Sequence, residues 1–161
     1  MPVRIQRKRT KGWKMPEGAV SCTRPSRYGN PFKIGRWYAK GNVFANDNPP
    51  RPHRKYIFGE IQIGNRKPSR VYTCSETKPK SSRFHLITNA AESVQWYRWY
   101  LSAINVSHRI EQELRGRNLM CFCHLCEKHK DGKPSHETCG ECDACHVDVL
   151  LEIANTEGMR K

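Results

Sequence analysis

Residues Cys121 to His146 read CFCHLCEKHKDGKPSHETCGECDACH, and these 26 positions hold six of the chain's eight cysteines and four of its seven histidines. Thiolate sulfur and imidazole nitrogen are the donors that a borderline-soft ion such as Zn2+ takes. Cys123-x2-Cys126, then twelve residues, then Cys139-x2-Cys142 is the spacing of a zinc ribbon. Each CxxC pair forms a tight knuckle with both sulfurs aimed at one ion, and the loop between them brings the knuckles together. The expected ligands are therefore Cys123, Cys126, Cys139 and Cys142, and the expected cofactor is a structural, fully coordinated Zn2+. Alternates stay open. Cys142-x2-Cys145 is also a valid knuckle, so Cys126, Cys139, Cys142 and Cys145 can form a set, as can three cysteines with one of His124, His136 or His146. Cys121 is a further alternate, although its place in a strand favours a free thiol, and a second ion is a further option.

The loop between the knuckles, HLCEKHKDGKPSHETCGE, is too polar to bury a core, so bound metal would supply the cohesion that apolar packing does not. Cys145-His146-Val147-Asp148 differs, because it opens a helix. A thiol there feels the helix N-terminus and a neighbouring imidazole, which is the setting of a nucleophile or an anion site. The plainer reading is a last zinc ligand followed by a capping segment. No P-loop, GxGxxG or Ser-His-Asp order supports another catalytic scheme, and whether the protein is an enzyme stays open.

Charge is the second signal. The 161 residues carry a formal net charge of +14. Residues 1–80 hold 19 Lys+Arg against 4 Asp+Glu, whereas residues 81–161 hold 10 against 11. A shift this sharp predicts that one half faces a polyanion. Basic residues alternate with aromatic ones at Lys11-Gly-Trp13-Lys14, Arg27-Tyr28, Arg36-Trp37-Tyr38 and Arg54-Lys55-Tyr56. Cations neutralise phosphates and rings stack on unpaired bases. The candidate nucleic-acid contacts are Arg7, Lys8, Arg9, Lys11, Lys14, Arg24, Arg27, Lys33 and Arg36, with DNA or RNA undecided. No apolar run is long enough to span a bilayer, so a membrane partner is not expected. No hydrophobic stretch follows the basic N-terminus, and the CxxC spacings favour bound metal over disulfides; both predict a reducing cytoplasm.

These side chains need elements to position them. Residues 1–16 read as a basic arm in which Val3, Ile5 and Gln6 can seed a strand. Residues 22–35 are an ordered loop, with Pro25 and Pro31 stiffening it and Gly29 read as a positive-φ position; residues 36–53 are turn-rich. Tyr56, Phe58, Ile61 and Ile63 predict a strand pair broken at Gly59, Val71–Cys74 another strand, and KPKSSR at 78–83 a solvated loop. Phe84, Leu86 and Ile87 predict a strand, and Asn89 with Glu92 a capping box. Ala90, Val94, Tyr97, Leu101 and Ile104 recur at helical spacing, and Trp96 to Tyr100 reads as helix core rather than as a base-stacking platform. Ser107 caps a second helix, which uses Ile110 and Leu114 and stops at Gly116; residues 118–123 are a buried strand. Val147, Leu150, Leu151 and Ala154 form the closing helix. The expected fold is α/β (α+β): a small single domain with short strands, about three helices and a zinc-knuckle loop. Its organisation is a basic arm at 1–16 and an α/β domain at 17–161, with one insert at 36–85 and a zinc-binding insert at 121–146.

RPSRYGNPF (24–32), AAESVQWYRWYL (90–101), ELRGRNLMCFC (113–123) and CHVDVLLEIAN (145–155) together resemble a family of small phage and bacterial proteins, domain-of-unknown-function family 4326. The family pattern is a Gly-Arg-Pro-Ser…Gly-Asn-Pro-Phe loop, a helix, Leu-Arg-Gly-Lys-x-Leu, Cys-Trp-Cys, and a Cys-His-x-Asp-Val-Leu helix start. This chain departs from it with Thr23 for the first Gly, Tyr28 for a common Trp and Phe122 for the usual Trp. Long inserts stand at about 36–85 and 124–144. The resemblance implies two layers: a shared Cys-x-Cys…Cys-His site at Cys121, Cys123, Cys145 and His146, and an added knuckle with Cys126, Cys139 and Cys142. It also implies a phage setting in a host cytoplasm, and no agreed activity.

Three functions fit. The first is a zinc-containing, basic nucleic-acid-binding protein. The second is a nucleotide- or nucleic-acid-directed enzyme using the Arg24–Phe32 loop with Cys145 and His146. The third is an accessory protein or inhibitor that binds a host protein through the inserts.

Overall fold

A computed structural model describes residues 1–39, 56–61, 69–74, 84–104 and 106–156. Residues 40–53 of the turn-rich segment, Arg54 and Lys55, Ile63 and the loop at 78–83 lie outside them. The chain divides into two compact units, Met1–Gly29 with Ser107–Lys161, and Asn30–Val106. The fold is α+β, with short strands in two sheets and three helices among the described residues.

Numbered along the whole chain, the first unit holds strands β1 (Val3–Gln6), β2 (Val20–Ser21), β7 (Leu119–Cys121) and β8 (Lys133–Pro134), in the order β2-β7-β1-β8. β7 runs parallel to both β1 and β2, and β8 closes the edge antiparallel to β1. The basic arm thus begins as a paired strand, and Ile5 lies opposite Met120. Two helices of this unit, α2 (Ser107–Leu114) and α3 (His146–Asn155), pack on each other, and α3 also lies against β1 and β7. Val147, Leu150, Leu151 and Ala154 repeat at i, i+3, i+4 and i+7, and all four are buried. Each buried leucine contributes roughly 1.5–3 kcal/mol, so this stripe holds the helix on the sheet. Gly116 ends the α2 turn at φ +71°, a left-handed position that other residues reach only with strain, and its N–H donates to Asn155 Oδ1 at 3.0 Å.

The second unit holds β3 (Trp37–Ala39), β4 (Tyr56–Ile61), β5 (Ser69–Cys74), β6 (Phe84–Leu86) and the helix α1 (Ala90–Ala103). Its antiparallel sheet has the order β4-β5-β3-β6. β4 runs unbroken through Gly59, which pairs with Val71, so the expected break is absent. β3 forms within the segment read as turns because its backbone gains two neighbours, β5 and β6. Asn89 caps α1 by accepting from Glu92 N–H at 2.9 Å, while the Glu92 carboxylate accepts from Thr88 N–H at 2.6 Å rather than from Asn89. Phe32 sits edge-on to Tyr38, Trp96 and Tyr100 at centroid distances of 5.0, 5.6 and 5.9 Å. The aromatic run of α1 is therefore core on one side: Trp96, Tyr97 and Tyr100 are buried, and Trp99 is exposed.

The Arg24–Phe32 loop is built from inside. Asn30 donates to Ser93 Oγ at 2.9 Å and accepts from Phe32 N–H at 2.9 Å, while Ser93 Oγ donates to Phe32 O at 2.6 Å. Gly29 does not have positive φ. Its requirement is space: a Cβ there would stand 2.9 Å from Arg24 N and 3.0 Å from Arg24 Cα. Backbone cannot yield as a side-chain tip can, so only glycine fits.

Candidate metal centre

Two groups of Cys and His side chains among the described residues can each hold a metal ion: Cys126, His129, Cys139 and Cys142, and Cys121, Cys123 and Cys145. Within each group all donor atoms lie within 4.8 Å of one another. The four expected ribbon ligands are divided between them, with Cys123 in the second group and His129 standing beside Cys126, Cys139 and Cys142.

The first group sits in the polar loop. Cys126 precedes a short 3-10 helix, Glu127–His129, whose turn carries His129 back over the Cys126 sulfur. Cys126 Sγ lies 3.8 Å from Cys139 Sγ and 3.5 Å from Cys142 Sγ. His129 Nδ1 lies 3.2 Å from Cys126 Sγ and 3.4 Å from Cys142 Sγ. With Zn–S near 2.3 Å and Zn–N near 2.0–2.1 Å, a tetrahedron separates its sulfurs by about 3.8 Å and sulfur from nitrogen by about 3.6 Å. The observed spacings match this shape to within a few tenths of an ångström. Main-chain N–H groups of Glu141 and Cys142 point at Cys139 and bring its thiol down to about 7, against the opposing effect of burial. Burial and the bond to Cys142 push the Cys126 thiol up. His129 Nε2 lies 3.0 Å from Glu137 Oε1, an ion-pair distance without hydrogen-bond alignment. Glu137 also pairs with Lys128, and these two partners hold its carboxylate below the usual range. A carboxylate behind a histidine ligand orients the ring.

Cys-x2-His at Cys126 and His129 is as good a knuckle as Cys-x2-Cys, and that spacing was the available signal for His129. His124 and His136, the other loop histidines weighed as ligands, are exposed and outside both groups.

The second group joins β7 to the start of α3. Cys121, read as a free thiol, has its sulfur 2.9 Å from Cys145 Sγ. Hydrogen bonds from Cys121 and Cys145, together with nearby His146, hold the Cys123 thiol low despite burial. The bond to Cys123 pushes Cys121 up to about 12. Burial first, and then the bonds to Cys121 and Cys123, raise Cys145. Cys145 is the N-cap of α3, and its sulfur accepts from Val147 N–H at 3.4 Å.

Arg4, close to Cys145 and Cys121 of the second group, is 0% exposed. It donates to Asp148 Oδ2 at 2.6 Å, His124 O at 2.9 Å and Asp143 O at 3.1 Å. His124 and Asp143 stand at the two ends of the metal loop, so one guanidinium closes its base. Burial opposes the Arg4 charge, but Cys145, Asp148 and Cys121 outweigh it and hold its pKa above the ordinary value. Lys133, also buried, reaches Asp148 Oδ2 at 3.2 Å from β8.

The expected phosphate contacts fall in both units. Lys8, Arg9, Lys11, Lys14, Arg24 and Arg27 are exposed in the first, and Lys33 and Arg36 are exposed in the second. Arg7 is half-buried and donates to Thr23 Oγ1 at 3.4 Å. Arg7 and Arg9 place their guanidinium carbons 5.1 and 4.6 Å from the centroid of Phe122, which is 40% exposed. Arg27 pairs with Glu113 at 2.6 Å and lies over Tyr28.

Fold and side chains define a small α+β protein with Cys/His clusters suited to a metal ion. The family model described as "Domain of unknown function (DUF4326)" matches residues 5–156, and the chain belongs to that family. Neither a curated protein nor a solved structure matches it significantly. No described helix is long and apolar enough to cross a membrane.

Proposed function

We propose that this chain is a zinc-stabilised nucleic-acid-binding protein. Zinc at Cys126, His129, Cys139 and Cys142 fastens the polar loop, and the basic N-terminal segment grips the phosphate backbone. The observation that carries the binding role is the patch in which Arg7 and Arg9 lie over the exposed Phe122 ring, with Lys8, Lys11 and Lys14 exposed along the same segment. An exposed ring with guanidinium groups close by puts an aromatic side chain for a base and counter-charge for its phosphates in one patch. Zinc fits the first cluster because three thiolates and an imidazole at tetrahedral spacing leave no open position for chemistry. The enzymatic alternative has less support: Cys145 is 2% exposed, and Asn30 is committed to Ser93 and Phe32.

The test is binding of labelled random-sequence single strands, DNA and RNA, to the full chain at two salt concentrations. Five phosphate contacts predict a loss of roughly 100-fold for a fourfold rise in salt. Phe122→Ala and Arg9→Ala each weaken binding, the latter with a shallower salt slope. Absence of binding at low salt defeats the proposal. A nuclease-resistant complex with a host protein would then favour the accessory reading.

A further inference from the structure

We propose that the second cluster is a metal site in its own right, in which Cys121, Cys123, Cys145 and His146 hold one Zn2+ as a closed set of three cysteines and one histidine. Three observations converge on it, and none depends on nucleic-acid binding or on the first cluster.

The first is the histidine. His146 follows Cys145 directly, with Nδ1 3.9 Å from Cys145 Sγ, while its Nε2 lies 2.8 Å from the carbonyl oxygen of Cys22. A carbonyl only accepts, so Nε2 carries the proton and Nδ1 presents its lone pair on the side of the sulfurs. A ring fixed through its far nitrogen by a main-chain carbonyl is the usual arrangement behind a metal-bound histidine.

The second is charge. Arg4 and Lys133 are both buried, and both bond the same oxygen of Asp148. Two buried cations facing one carboxylate leave an excess of one positive charge, and buried charge is costly unless balanced. Three thiolates and a neutral imidazole around Zn2+ carry one net negative charge. That balances the group.

The third is geometry. The three sulfurs already lie within 4.8 Å of one another, the 2.9 Å between Cys121 and Cys145 has to open only to about 3.8 Å around zinc, and the His146 ring, which lies outside that 4.8 Å group with Nδ1 3.9 Å from Cys145 Sγ, has to move in to complete the set. Side-chain rotation at the strand end and the helix cap covers that change. Any protons on these sulfurs leave to solvent as the ion enters. Thiolate donors select zinc over calcium or magnesium. An ion here would clip β7 to α3 and hold Phe122, which lies between two of its ligands in sequence, facing outward.

The experiment is metal content by mass spectrometry on the full chain, loaded with zinc and desalted, for wild type, Cys123→Ser and Cys139→Ser. Two zinc ions in wild type and one in each variant support the site. One ion in wild type, retained in Cys123→Ser and lost in Cys139→Ser, overturns it and leaves the first cluster standing. The reverse pattern, one ion lost only in Cys123→Ser, supports this site and removes the first. Should Cys123→Ser fail to fold, Co2+ titration of the wild-type chain decides. Sulfur-to-cobalt absorption rising to two equivalents supports the second site, and a plateau at one, with both Cys121 and Cys123 still alkylated by iodoacetamide, overturns it.

Discussion

Replacing Arg4 by methionine keeps most of the side-chain stem and removes every donor of the guanidinium. Three acceptors are affected: Asp148 Oδ2, His124 O and Asp143 O. The His124 carbonyl keeps a bond from Asp143 N–H at 3.2 Å, and Asp148 keeps Lys133 at 3.2 Å, so neither is wholly abandoned. Asp143 O loses its donor outright. Breaking a buried charge pair costs about 3–5 kcal/mol, the Asp148 side being partly exposed, and the carbonyl of the exposed Asp143 adds less than the about 1–3 kcal/mol of a fully buried one. With Lys133 offsetting part of the first effect, the expected loss is about 3–5 kcal/mol in total. At about 2–4 °C per kcal/mol for a chain of this size, the midpoint of thermal unfolding falls by roughly 6–20 °C. Hydrogen exchange of the β1 and β7 amides on metal-loaded protein reads the effect within the first unit. Arg4→Lys should recover only part of the loss, because one ammonium cannot reach three acceptors set around a planar fork. If Arg4→Met protects those amides to within about 1 kcal/mol of wild type, the guanidinium is not what closes the loop, and the reasoning fails.

Other consequences are as direct. Cys139→Ser, by removing one ligand of the first cluster, should raise tryptic cleavage after the exposed Lys128 and Lys130 while β1 and β7 stay protected; equal cleavage in both proteins would mean that metal does not order the loop. Gly29→Ala should destabilise the chain by about 1–3 kcal/mol in urea unfolding, since its Cβ would press on Arg24 backbone. Phe32→Ala removes the ring at the centre of the aromatic cluster and should cost about 3–5 kcal/mol, read from the near-ultraviolet signal of the second unit. Glu113 is partly desolvated, yet Tyr28, Arg109 and Arg27 hold its carboxylate below the usual range. A depressed folded value means its contribution is complete above the unfolded pKa and disappears as pH falls through the folded one. Melting temperatures from about pH 6 to about pH 3 should therefore fall less steeply in Glu113→Gln than in wild type.

Helical periodicity was readable in residues 90–104 and 147–154 because each helix buries one continuous stripe, and a stripe leaves a regular mark in the sequence. The short strands were harder. β2 and β8 are two residues each, and their existence depends on a neighbour's backbone rather than on their own side chains. Lys133, on β8, has the composition of a solvated loop and is buried because Asp148 and the β1 edge receive it.

The sequence by itself determined that this chain carries donors for a soft metal ion, in one segment at knuckle spacing, and that its positive charge is concentrated in the first half. Both follow from residue type and local spacing, which need no folding to be read. Tertiary structure decided the partition of those donors: it drew Cys121 and Cys123 to Cys145, left Cys126 with His129, and buried Arg4 beside Cys121 and Cys145. Knuckle spacing limits which sulfurs can share an ion, but the pairing of Cys121 with Cys145, 24 residues apart, depends on how β7 and α3 bring their ends together. Likewise, nothing local marks Arg4 as different from the six other basic residues nearest the N-terminus in kind; burial against Asp148 is a property of the packed sheet and helix.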